Sequence, residues 1–229
     1  MKKVILGLLI FLELGFSQIS GSIMGEELNR LQESIEEKEN YLVVDLRDIT
    51  EYKKGHLKHA INIPLNSLNQ NFDFLNTTRE ENIILISNEI KDIKNAANIL
   101  TQANIKKKII VAPDLNTYNY TLYKQKNIKG KDLQALADKG EVIILDARLK
   151  EDYVKAHFKN AINVPEAKMT PEILDHIKKA SQNGKKPIVT HCYRGNDGNK
   201  LSQIMLKEGF EDVTNSVDGT KEFNFHFNE

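Results

Sequence analysis

The 229-residue chain contains one cysteine, Cys192, and no tryptophan. A single cysteine excludes an intramolecular disulfide framework and any cysteine-rich zinc site. Aromatic residues make up only 7% of the chain, too few, without Trp, for a platform that stacks carbohydrate or bases. Net charge is missing too. The 32 Lys and Arg balance 32 Asp and Glu, so no global basic field draws the protein onto nucleic acid, which is not expected as a partner. The six histidines form no helix-spaced pair with a carboxylate that would read as a metal site. No metal or other cofactor is expected. The run Lys106–Lys108 reads as a solvated turn.

What is present begins with an N-terminal pattern. Lys2 and Lys3 precede an apolar run from Val4 to Leu12, interrupted by Glu13 and followed by Leu14, Gly15 and Phe16 and then by the small polar residues Ser17, Ser20, Gly21 and Ser22. This is the layout of an export signal, assigned to residues 1–22, with cleavage after Ser17 or Ser22. The run is shorter than the ~20 residues a bilayer span needs. The mature protein is therefore expected outside the cytoplasm, in the periplasm or its equivalent, without a stable membrane span. An N-terminal membrane anchor is the alternative.

The rest of the chain is organised by a repeat. Placing Asp45–Pro64 over Asp146–Pro165, at an offset of 101 residues, gives ten identities in twenty positions, where chance gives roughly one. Each copy reads as a strand ending in Asp-x-Arg (Asp45 and Arg47; Asp146 and Arg148), a short helix, a histidine (His56; His157) and a second strand stopped by proline (Ala60–Pro64; Ala161–Pro165). Further apolar strands follow at 82–86 and 187–190, each leading into a helical stretch and another strand. Strands alternating with helices predict an α/β fold: two tandem domains, each a mainly parallel sheet with helices on both faces. The first domain is placed at 25–112, a linker at 113–126 and the second domain at 127–229.

Cys192 follows the strand 187–190 and opens the segment Cys192-Tyr193-Arg194-Gly195-Asn196-Asp197-Gly198, ahead of an apolar-periodic helix. In open α/β sheets ligands bind at the carboxyl ends of strands. A glycine-containing turn there can aim its backbone N–H groups inward as an anion nest beside a helix N-terminus. A thiolate in such a nest, next to Arg194, is expected to have a pKa below about 8.5. The catalytic candidate is Cys192, and Tyr193, Arg194, Gly195, Asn196, Asp197 and Gly198 are the substrate-binding candidates. Asp146 and Arg148 are supporting candidates whose alternative is capping and mutual pairing. His191 would point to the other side of an extended strand and is not assigned as a base. Aligning the strands puts Asn88 of the first copy opposite Cys192.

The Asp146-x-Arg148 strand end, the Asp152-Tyr153 pair, His157, the strand Ala161–Pro165 and the His191-Cys192 loop followed by Val217-Asp218-Gly219 together resemble the rhodanese-homology domain. The resemblance covers nearly the whole chain after the signal, as two tandem domains. It implies a sulfurtransferase that moves a sulfane sulfur from thiosulfate or a related donor to cyanide or a thiol through a Cys192 persulfide. The implied partners are a small sulfur-containing anion and a thiol acceptor, and the chain is expected to be a monomer. It further implies that the first domain, lacking a cysteine, is silent. Active loops of that family often carry Arg five positions after the cysteine, where this chain has Asp197. A carboxylate at the mouth of an anion nest costs on the order of 1 kcal/mol when exposed to solvent. The dual-specificity phosphatases share the fold but place an Arg six positions after the cysteine, where Gly198 stands here. A non-catalytic binding or scaffold protein built from two such folds is the alternative from another class.

Overall fold

The computed structural model describes residues 21–35 and 37–227. Apart from Gly21 and Ser22, the export segment assigned to 1–22 lies outside them. Contacts divide the chain into two units, Met1–Glu51 with Asn62–Thr121, and Tyr52–Ile61 with Leu122–Glu229. Tyr52–Ile61, which lies inside the first repeat in sequence, groups with the second unit because its polar backbone finds partners there. His56 N donates to Tyr123 O (2.9 Å), Tyr123 N donates back to His56 O (2.8 Å), and the Asn127 amide reaches Lys58 O and Ala60 O at 2.9 and 3.0 Å.

The first sheet has the order β1-β5-β4-β2-β3, formed by β1 (Gly21–Ser22), β2 (Tyr41–Asp45), β3 (Ile61–Asn62), β4 (Asn82–Ile86) and β5 (Lys108–Val111). Its helices are α1 (Gly25–Glu33), α2 (Ile49–Lys54), α3 (Phe72–Thr77) and α4 (Ile90–Gln102). The second sheet repeats the order as β6-β10-β9-β7-β8 with β6 (Lys126–Ile128), β7 (Ile143–Asp146), β8 (Ile162–Asn163), β9 (Ile188–His191) and β10 (Val213–Ser216). Its helices are α5 (Gly130–Lys139), α6 (Lys150–Lys155), α7 (Pro171–Ala180) and α8 (Asn196–Lys207). Neighbours pair in parallel, for example β2 with β4 and β7 with β9. The two-domain α/β reading therefore holds. Gly21 and Ser22 form the edge strand on β5, with Ile23 N bonded to Val111 O at 3.1 Å.

Strand side chains alternate between faces, and the second unit has a core on each side of its sheet. Leu145, Ile188 and Cys192 pack with Ile177 of α7 and with Leu201 and Met205 of α8. Ile144 and Val189 pack on the other face with Leu133 of α5, Phe158 and Phe225. The helices meet the sheet through residues three and four apart: Ile93, Ala96, Ala97 and Leu100 are buried along α4, and Gly198, Leu201, Ser202 and Met205 along α8. Sequence periodicity did not single out α3 or α7. α7 carries a start signal, Thr170 capping Ile173 N ahead of Pro171. The segment after β5, expected as a linker, is held on α1: Thr121 N donates to Asn29 Oδ1 (3.2 Å), and the Tyr118 ring lies so close to Gly25 that a Cβ there would fall within 2.3 Å of it.

The conserved skeleton of the repeat has identifiable jobs. The Asn62 amide donates to Asp45 O and Arg47 O at 3.1 and 2.8 Å, and Asn163 does the same to Asp146 O and Arg148 O at 2.9 Å each. Tyr52 stacks on His56 and Tyr153 on His157, with ring centroids 3.8 and 4.0 Å apart, while the two tyrosine hydroxyls donate to Ala60 O and Ala161 O. No helix among the described residues is long and apolar enough to cross a membrane. Deleting an asparagine amide takes one donor from each of two backbone carbonyls, although Asp45 O and Asp146 O keep the bonds from Ile63 N and Val164 N. Asn62→Ala and Asn163→Ala are each expected to lower stability by about 1–3 kcal/mol in urea denaturation, and an unchanged midpoint in either would contradict this role.

Candidate active site

β9 ends at His191, and α8 begins four residues after Cys192, at Asn196. Between them the chain turns through Gly195, whose φ of +81° is open to glycine at little cost and whose Cβ would lie 2.5 Å from Val217 O. The segment after β10 closes on the loop from the other side. Gly219 approaches the backbone of Tyr193 so closely that a Cβ would sit 2.1 Å from the Tyr193 carbonyl carbon. That approach lets Thr220 N donate to Cys192 O (3.1 Å) and Lys221 N to Tyr193 O (3.0 Å). Asp218 anchors this brace by accepting from Lys129 Nζ and from Gly130 N, both at 2.8 Å.

Cys192 is 2% exposed. Burial pushes its thiol above the ordinary range; the backbone N–H groups of Gly198, Arg194 and Asp197 pull the other way, and the Asp197 charge adds to the upward push. The expected depression of the thiol pKa is therefore reversed. The sulfur sits deeper than a surface loop implies, and desolvation of the anion outweighs the backbone N–H groups around it.

A buried polar network holds the cradle in shape, and sequence reasoning missed it. Thr190 Oγ1 donates to Gly198 O (2.8 Å) and lies 2.6 Å from Ser202 Oγ and 3.2 Å from Asn215 Oδ1. Ser202 Oγ also donates to Gly198 O at 3.0 Å, and Asn215 Nδ2 reaches Gly195 O at 3.3 Å. All three side chains are fully buried. The available signal was polarity out of place: Thr190 and Asn215 in buried strands, and Ser202 on the apolar stripe of α8.

The other loop residues surround the mouth. Tyr193 donates its hydroxyl to Asp152 Oδ2 (2.5 Å) and accepts from Leu149 N (3.3 Å); burial and Asp152 push the phenol up to about 12. Arg194 is half-buried. Asn196, at the start of α8, makes no side-chain hydrogen bond among the described residues although both its amide atoms are buried. Asp197 pairs with Lys200 at 3.1 Å, so a neighbouring lysine partly balances its carboxylate.

Asp146 and Arg148 lie behind the strand end. Arg148 clasps both carboxylate oxygens, Nε at 3.1 and 3.0 Å and Nη2 at 2.6 Å, and also donates to Ala156 O. Burial alone would raise the Asp146 pKa; His191 and Arg148 overcome it and hold the carboxyl well below the usual carboxylate range. Asp45 and Arg47 form the same fork in the first unit, with Nη2 2.6 Å from Oδ2. A pair built alike with and without a cysteine serves the strand end first. His191 faces the side away from the Cys192 core, packed on Phe158 and Phe225.

The strand registers correct one alignment. Asp45 pairs with Ile86 and Asp146 with His191, so Ser87, not Asn88, occupies the place of Cys192. The flanking bonds agree: Leu115 N donates to Ser87 O (2.8 Å) as Thr220 N does to Cys192 O. α4 starts only three residues after Ser87 and no positive-φ glycine precedes it. The first unit thus has neither the sulfur nor the long turn.

The rhodanese-like domain model matches residues 27–114 and 130–226. A thiosulfate sulfurtransferase, GlpE of Coxiella burnetii, is 27% identical over 105 residues, 46% of this chain and 91% of that protein. A tRNA uridine(34) hydroxylase of Cytophaga hutchinsonii is 32% identical over 109 residues, 45% of this chain but only 33% of its own length. The crystal structure of a thiosulfate sulfurtransferase from Pseudomonas aeruginosa superposes with a TM-score of 0.36 at 15% identity, over 87% of this chain and 41% of that one. With both repeats matched, the chain belongs to the rhodanese-like domain family, as a tandem pair in which only the second copy carries a cysteine.

Proposed function

We propose that the protein is a sulfurtransferase in which Cys192 accepts a sulfane sulfur and passes it to a thiol or cyanide. The observation that carries this reading is the seat of the one cysteine, buried in the glycine turn between β9 and α8, where the backbone N–H groups of Arg194, Asp197 and Gly198 favour its anion. Such a cradle serves an anion on the sulfur and would be idle around a neutral core thiol. The Cys192 thiolate attacks the outer sulfur of a donor such as thiosulfate. The new S–S bond forms as the donor's own S–S bond breaks, and its electron pair leaves with sulfite. An acceptor thiolate or cyanide then attacks the terminal sulfur of the persulfide, and the electron pair of that S–S bond returns to Cys192 as thiolate. The relative named as a thiosulfate sulfurtransferase, covered over most of its length, supports this class of reaction.

The loop departs from a simple anion trap at Asp197. Its carboxylate opposes an incoming dianion, and Lys200 only partly offsets it. Donors of lower charge than thiosulfate suit this mouth better. In the first unit, Ser87 and the shortened turn leave no group able to hold a sulfane sulfur, and its role is taken to be structural. The deep burial of Cys192 favours a second reading, a rhodanese fold used as a binding or scaffold module. Export is proposed on the residues near the N-terminus, Lys2, Lys3 and Val4–Leu12.

Three outcomes are expected. Incubation of the wild type with thiosulfate or another sulfane donor adds one sulfur atom by intact mass, lost on cyanide treatment and absent in Cys192→Ser; no gain with any donor leaves the scaffold reading. Asp197→Arg raises thiosulfate turnover by about tenfold, the equivalent of about 1.4 kcal/mol, measured as thiocyanate formation, and an unchanged rate refutes Asp197 as the limit. N-terminal sequencing of the exported protein finds a start after Ser17 or after Ser22, of which the first keeps the β1 edge strand Gly21–Ser22; an intact Met1 counts against export.

A further inference from the structure

The buried polar network behind the cysteine turn has no counterpart in the first unit. Leu145 pairs with Thr190 and Thr190 with Asn215, where the first sheet pairs Val44 with Leu85 and Leu85 with Val111, so Leu85 and Val111 stand at the places of Thr190 and Asn215. The C-terminal ends of α4 and α8 close with the same bonds, Ile105 N to Leu100 O and Phe210 N to Met205 O, both 3.1 Å. Counting back from them sets Ala97 at the place of Ser202. The same sheet and helix therefore close around leucine, valine and alanine in the unit without a sulfur, and around threonine, asparagine and serine in the unit that has one. The fold does not need the polar set, and burying it costs stability unless every member is bonded.

What the three side chains bind is the turn itself. The Thr190 and Ser202 hydroxyls reach Gly198 O, and the Asn215 amide reaches Gly195 O. Thr190 Oγ1, 3.2 Å from Asn215 Oδ1, fixes which end of that amide faces Gly195. These bonds add to those of the helix: Gly195 O also accepts from Asn199 N at 2.9 Å. Their contribution is direction. A Cβ on Gly198 would lie 2.5 Å from Asn215 Oδ1, so the amide packs directly on the glycine. Between the clamped carbonyls of Gly195 and Gly198 lie two peptide planes, which carry the N–H groups of Asp197 and Gly198. Both of those N–H groups favour an anion on Cys192.

We propose that Thr190, Ser202 and Asn215 are positioning residues for the sulfur: by clamping the carbonyls on either side, they hold the two intervening peptide planes with their N–H groups toward Cys192 and so lower the cost of ionising it. The proposal rests on the reading of Cys192 as the reactive group. A hydrogen bond to an anion depends steeply on angle, so a peptide plane free to rotate loses much of its hold on the sulfur.

The test compares Ser202→Ala and Asn215→Val, which install the first unit's own residues, with Thr190→Val, which removes only the hydroxyl, and Thr190→Ser, which keeps it. Thermal melts establish that each is folded. Thiolate formation is followed by alkylation rate with iodoacetamide, which the single cysteine makes unambiguous, and by ultraviolet absorbance against Cys192→Ser, which subtracts the tyrosines. Ser202→Ala, Asn215→Val and Thr190→Val are each expected to slow alkylation near neutrality by about tenfold and to move the titration upward by about one pH unit, the size of one weakened hydrogen bond to an anion. Thr190→Ser is expected to keep the wild-type rate. A network that only supports the fold gives the opposite sign, because a loosened turn exposes the buried thiol and speeds its alkylation. Unchanged or faster alkylation in folded Ser202→Ala or Asn215→Val overturns the proposal, and so does a Thr190→Ser as slow as Thr190→Val. The readout needs no sulfur donor, so failure of sulfur loading and failure of this inference are separate results.

Discussion

The sulfurtransferase reading asks for an anion on a buried sulfur, which is tolerable only where hydrogen-bond donors face it, and the second unit is built around such a turn. The donors are backbone N–H groups, so the chain must turn from β9 into α8 with its amides facing inward. The turn needs a residue with positive φ at Gly195 and a second segment, ending at Gly219, packed against its outside. The carbonyls that the turn leaves behind need donors of their own, supplied by Thr190, Ser202 and Asn215. The site is therefore mostly backbone, and the side chains that matter to it are those that hold the backbone still.

Comparing the units separates fold from chemistry. What recurs at the 101-residue offset is the Asp-Arg fork, the asparagine that ties two carbonyls and the tyrosine stacked on histidine. These are solutions to the problem of ending a buried parallel strand without orphaned polar groups. What differs is the sulfur, one residue of turn length, the glycine and the residue before Cys192. The difference between Ile86-Ser87 and His191-Cys192 is small in sequence, and it puts a thiol in one unit and a hydroxyl in the other.

The fold was legible from the repeat, the alternation of apolar strands with helices and the proline stops, because these patterns are local. Cys192 was legible as well, since glycine and polar neighbours after a branched strand mark a turn at the sheet's carboxyl edge. The direction of its pKa shift was not, because the loop composition suggested exposure while packing against α7 and α8 buried the sulfur. The Asn88 alignment failed by one position for a related reason: register is set by hydrogen bonding to a neighbouring strand that single-strand alignment does not contain. Thr190, Ser202 and Asn215 are far apart in the chain or read as ordinary polar residues, and only folding brings them to one point.

By itself the sequence determined that this is a duplicated α/β protein with one possible sulfur nucleophile, because repetition, periodicity and the presence of a single thiol are properties of the chain alone. The tertiary structure decided how that thiol is conditioned. Burial, the aim of three N–H groups and the closeness of Asp197 are all distances between residues. Electrostatic energy depends on distance and dielectric, and neither is written in the order of the residues.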